Sequence, residues 1–138
     1  MGMKKKQEIK KQVKEIMISI YYPLDNINSD KLVDWMGYPF DSFDDLTYHH
    51  ITKASILRFS SKDDKATLQN GALLTDLSHQ ILHKIETIEP DLYELWNSIF
   101  ILINKSRKYP SDDILDIVKK LQKVSEETID EYNNKKRH

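Results

Sequence analysis

Four prolines, Pro23, Pro39, Pro90 and Pro110, cut this 138-residue chain into stretches whose apolar residues recur at helical spacing. Proline cannot continue a helical hydrogen-bond ladder, so these positions limit where helices begin and end. Residues 5–20 carry Ile9, Val13, Ile16, Met17 and Ile20 on one stripe, and Tyr22-Pro23 ends it. Ser29 is placed to cap a short helix through Trp35, stopped by Gly37 and Pro39. Pro90 opens a helix reaching about Lys108, whose Leu92, Leu95, Trp96, Ile99, Phe100, Leu102 and Ile103 cover more than one face, as in a central core helix. After Pro110, Ser111 or Asp112 caps a last helix with Ile114, Val118, Leu121 and Val124 as its buried stripe.

Between these helices the pattern changes. Residues 40–46 read as an acidic loop, and Leu46–Ile51 is a short apolar and aromatic segment, most simply a strand. The polar stretch 52–69 is longer than most loops in a compact domain, which points to function. Asn70-Gly71 suits a tight turn with positive φ, and Ala72–Leu74 is a plausible return strand. Thr75 or Asp76 then caps a helix running to about Glu86. The expected fold is α+β and mainly helical, a β-hairpin plus helix packed among longer helices. It forms one domain over 1–138, with a helical and acidic extension at 1–45, a hairpin-and-helix core at 46–86 and a C-terminal helical pair at 89–134.

Composition narrows the chemistry. The chain has no cysteine, so stability comes from packing, and any metal must be held by His, Asp or Glu. No run approaches the ~18 apolar residues of a membrane span. Lys10, Lys11, Lys14 and Glu15 interrupt any signal-like hydrophobic region, so the cytoplasm is the default location and no membrane partner is expected. The net charge of -1 conceals strong patterning. Residues 3–14 carry Lys4, Lys5, Lys6, Lys10, Lys11 and Lys14 against Glu8, whereas residues 24–46 carry Asp25, Asp30, Asp34, Asp41, Asp44 and Asp45 against Lys31. Clustered cations can neutralise phosphates, though terminal lysine runs are more commonly solvated tails.

Four of the five histidines fall in two tight pairs, His49-His50 and His79/His83. The second pair lies at i and i+4 on the predicted helix, so both rings project from one face and can share one divalent ion. The intervening residues are Gln80, Ile81 and Leu82, so the glutamate base of the zinc-protease arrangement is missing. In a strand, His49 and His50 face opposite sides, which suggests one imidazole on a metal and the other aimed at water or substrate.

Together, Tyr48-His49-His50-Ile51, Leu68-Gln69-Asn70-Gly71-Ala72-Leu73-Leu74-Thr75 and Ser78-His79…Leu82-His83-Lys84 resemble the HNH endonuclease family, the ββα-metal finger. They are similar to small HNH proteins of bacterial and phage genomes with a colicin-type, all-histidine metal site. The resemblance covers residues 46–104. It implies that His49, His79 and His83 hold one divalent ion (zinc, nickel, manganese or magnesium) and that His50 is the general base. Asn70 would tether the long loop and hold the backbone behind His50. Lys53, Arg58, Lys62 and Lys65 are then candidate phosphate contacts, with solvated loop charges as the plainer reading. The implied activity is metal-dependent hydrolysis of nucleic-acid phosphodiester bonds, with DNA the favoured substrate and RNA the other. The acidic run before His49 is awkward for such an enzyme: it faces away, restrains binding or meets a partner protein. The rival reading is a non-catalytic helical interaction module that keeps the finger as scaffold and docks a protein through the acidic segment or the terminal helices.

Overall fold

The computed structural model describes residues 2–23, 32–51, 70–107, 109 and 111–136, with side chains from Glu8 onward in the first helix. These residues form α1 (Gly2–Tyr21), a single 3-10 turn (Phe43–Asp45), β1 (Thr47–His50), β2 (Gly71–Leu74), α2 (Asp76–Ile88), α3 (Pro90–Ser106) and α4 (Asp112–Lys136). The architecture is mainly helical α+β, as the periodicity indicated. Helices α2, α3 and α4 pack on one another, β2 lies against α2 and α3, and α1 touches β1. One apolar core runs through all of them, from Met17, Tyr21 and Tyr22 through Trp35 and Leu73 to Trp96, Phe100 and Val118. No helix among the described residues is long and apolar enough to cross a membrane.

The hairpin pairs antiparallel, with Thr47 opposite Leu74, Tyr48 opposite Leu73, His49 opposite Ala72 and His50 opposite Gly71. Its connection is therefore the long 52–69 stretch and not a two-residue turn at Asn70-Gly71. Gly71 is a strand residue without positive φ. A Cβ there would lie 2.2 Å from Tyr48 Cε2, so glycine serves close approach of the Tyr48 ring, a role that turn chemistry does not signal. Beyond the strands, Ile51 N–H donates to the Asn70 carbonyl, extending the pairing by one rung.

A second correction concerns the expected helix from Ser29 to Trp35. Ser29 lies outside the described residues, and from Leu32 to Phe40 the chain forms a tight antiparallel bend, bridged between Val33 and Pro39. Asp34 explains the preference. Its Oδ1 accepts from Met36 N–H at 2.9 Å and Tyr38 N–H at 3.0 Å, a local alternative to helical bonding. Gly37, at φ 88°, then supplies the left-handed residue the bend needs.

The same carboxylate reaches across the core. Asp34 Oδ2 accepts from Thr75 N–H and Thr75 Oγ1, both at 2.8 Å, and from Ser78 Oγ. Thr75 is the N-cap of α2, and its Oγ1 accepts from Ser78 N–H at 3.3 Å. A fully buried negative charge thus sits at the positive end of α2 and pins that helix to the 32–40 bend. Of the six acidic residues in the run, Asp34 is an internal staple, while Asp41, Asp44 and Asp45 are exposed beside the 3-10 turn.

Helix α3 begins one residue after α2, with Pro90 in its first turn, where a missing N–H costs nothing. Only part of its apolar surface is covered: Trp96, Phe100 and Ile103 are buried, whereas Leu95 and Leu102 stand about half exposed. Ile16 of α1 is likewise exposed. On α4 the buried stripe runs Ile114, Val118, Leu121 and Ser125, and Val124 faces out. The 3.6-residue period favours Ser125, and its hydroxyl is occupied: it accepts from Trp96 Nε1 at 2.8 Å and donates to Leu121 O at 2.8 Å.

Candidate functional site

The hairpin and α2 bring all four paired histidines to one open cavity of about 310 Å³, lined by Tyr48, His49, His50, His79, His83, Glu86 and Tyr93. That volume is at the low end for small-molecule pockets but ample for an ion and a phosphate group. In the hairpin register the small residues Ala72 and Gly71 lie opposite His49 and His50. His50 closes β1, and its ring meets the Tyr48 ring edge-on at 5.0 Å. Tyr48 in turn occupies the volume left by Gly71, so this tyrosine, missed in the sequence reading, supports His50 from below.

His49 points inward. Its ring lies 5.6 Å from that of His79 and 5.9 Å from Phe100, and the His79 and His83 rings are 5.9 Å apart. Burial is the main reason that the pKa of His49 is pushed down to about 4, with the neighbouring His79 charge next; the Asn97 amide beside it opposes the shift. Burial also lowers His79, followed by the charge of His83, while Asp76 and Asp34 act the other way and Lys10 of α1 adds a small lowering. Both imidazoles are thus held neutral, the state in which a ring nitrogen can ligate.

Among the described residues, four buried side-chain polar atoms have no hydrogen-bond partner: His49 Nε2, His79 Nε2, Asn97 Oδ1 and Trp35 Nε1. Three of these belong to the His49 neighbourhood. Buried donors and acceptors are normally satisfied, so such a concentration marks a place where something beyond the described residues completes the bonding. Two imidazoles bound to one ion through ~2.0–2.1 Å bonds have ring centres roughly 5–6 Å apart, and the His49–His79 and His79–His83 spacings fall in that range.

The remaining groups are less closed in. His83 is 73% exposed, with Nδ1 3.8 Å from Glu86 Oε1. Among the described residues, no three His, Asp or Glu side chains already stand around one point as a complete metal cage. Glu86 was not singled out from sequence, yet its signal was there: His79, His83 and Glu86 follow the i, i+4, i+7 rule for one helix face. Asn70 is half-buried and does not line the cavity. Lys53, Arg58, Lys62 and Lys65 lie outside the described residues. No family model, curated protein or solved structure matches this chain.

Proposed function

We propose that this protein is a metal-dependent phosphodiesterase of the HNH type, acting on nucleic acid, with DNA the favoured substrate. The observation that carries this reading is the pair of buried Nε2 atoms of His49 and His79, without a hydrogen-bond partner among the described residues and set beside His50 on a hairpin followed directly by a helix. His49 and His79 would hold one divalent ion, with His83 turning in from the exposed rim as the third ligand. Such an ion supplies charge neutralisation to the scissile phosphate and to the departing oxygen.

The chain's own groups divide the remaining work. His50, on the opposite side of β1 from His49, takes a proton from water, and the Tyr48 ring limits its orientation. Lys10, whose charge reaches His79, adds positive potential for a phosphate. Asn70 acts through its backbone, accepting from Ile51 N–H and so holding the strand end just past His50.

The test is cleavage of supercoiled plasmid by metal-loaded wild type and by His50→Ala purified in parallel. Wild type should nick, and the variant should be slower by roughly 10²–10⁴-fold. Equal rates in the two proteins would sink the assignment of the base. Leu95 and Leu102 on α3, with Ile117 and Val124 on α4, are exposed apolar side chains that favour a second reading, a protein-docking module. Calorimetry separates the two, because the nuclease takes up Zn²⁺, Ni²⁺ or Mn²⁺ whereas a docking module need bind none.

A further inference from the structure

A hydroxyl has one hydrogen to donate and lone pairs to accept with, and Thr47 stands between two groups that compete for it. Thr47 Oγ1 donates to the Leu74 carbonyl at 2.9 Å, across the first rung of the hairpin. The same oxygen is 3.4 Å from His79 Nδ1. A carbonyl oxygen can only accept, so the Thr47 hydrogen is committed to Leu74. Toward His79 the hydroxyl oxygen can offer nothing except a lone pair. His79 Nδ1 must then carry the ring proton, which leaves the lone pair on Nε2, a buried atom with no hydrogen-bond partner among the described residues.

We propose that Thr47 is a positioning residue that locks His79 in the Nδ1–H tautomer and so presents Nε2 to an incoming ion. This rests on the reading of His79 as a metal ligand given above. The physical gain is clear. Imidazole in water favours a proton on Nε2, which would block the very atom the cavity exposes. The lock also fixes the plane of the ring, because Oγ1 is itself held by its hydrogen bond to the Leu74 carbonyl of the paired strand. Partners on the far nitrogen of a ligating histidine commonly contribute about 10–100-fold in metal affinity. Thr47 would do so from a strand two residues ahead of His49, so one β-strand supplies a ligand, a base and the orienting group of the facing ligand.

Imidazole ¹⁵N–¹H correlation spectra of the metal-free full-length chain, recorded well above the ordinary imidazole pKa of ~6.5, read the tautomer directly. Wild type and Thr47→Ser should show His79 with its proton on Nδ1, and Thr47→Val should move it to Nε2. Zinc titration by calorimetry should give Thr47→Val a loss of roughly 10–100-fold in affinity, with Thr47→Ser close to wild type. Thr47→Ala replaces the valine variant if that protein does not fold. A proton on Nε2 in wild type, or a tautomer unchanged in the hydroxyl-free variants, overturns the proposal. If the tautomer pattern holds but no variant, wild type included, takes up zinc, Thr47 keeps its role and the metal reading falls instead.

Discussion

Two buried polar clusters lie within a few residues of each other along α2, and they are built on opposite principles. Around Asp34 every need is met: five donors from the 32–40 bend and the start of α2 converge on its two oxygens. Around His49 and His79 needs are left open among the described residues: neither Nε2 has a well-formed hydrogen bond there, and only the Asn97 amide approaches the His49 ring. Both clusters cost desolvation, yet only the first recovers it among the described residues. The difference separates a structural device from a functional one more sharply than charge or burial does, because the Asp34 carboxylate is the more deeply buried of the two. It also links them, since the staple sets where α2 begins and hence where His79 stands.

The strongest way to break this comparison is Asp34→Ala. It strands five donors at once and should cost roughly 3–5 kcal/mol in urea unfolding. A loss below ~1 kcal/mol would mean the staple is dispensable and the contrast empty.

The histidine side predicts a pH effect of known sign. In the folded chain the His49 pKa lies near 4, below its unfolded value of 6.5. Between those values the unfolded chain binds the extra proton, so stability rises with pH there. The contribution, on the order of 3 kcal/mol, is complete above pH ~6.5 and is lost as pH falls toward 4. Urea midpoints across that window should slope in wild type and flatten in His49→Leu; parallel curves would show that His49 is not held neutral by burial.

Gly71→Ala is the finest probe, because it disturbs the support of His50 without touching either cluster. Its new methyl meets the Tyr48 ring and should cost roughly 1–3 kcal/mol in thermal unfolding. Part of that loss should return in the Gly71→Ala/Tyr48→Leu double variant. Additive losses would show that the ring and the glycine are uncoupled.

Much of the frame was legible in the residues. The prolines and the apolar stripes located α1, α3 and α4, and Thr75 was one of the two caps expected for α2. The strand at Leu46–Ile51 and the return strand were read to within a residue or two. Two of the misses share one cause, the influence of partners distant in sequence. The segment from Ser29 through Trp35 had a capped-helix pattern, but Asp34 bonds its own backbone and then α2, which local propensity does not register. Asn70-Gly71 had the composition of a turn, and the Tyr48 ring made Gly71 a packing residue. Val124 and Ser125 are adjacent, and here the helical period already favoured Ser125, whose hydroxyl the distant Trp96 indole then satisfies.

The sequence alone determined the helical segments, the i, i+4 histidine pair with Glu86 one turn further on, and the exclusion of thiolate chemistry. Those are properties of spacing and residue type, and they hold for any helix written with these letters. Only the tertiary structure brought His49 against His79, left their Nε2 atoms without a hydrogen-bond partner among the described residues and set Thr47 Oγ1 beside Nδ1 of His79. The reason is physical: whether a buried polar atom is satisfied depends on groups that arrive from elsewhere in the chain, and no local pattern carries that information.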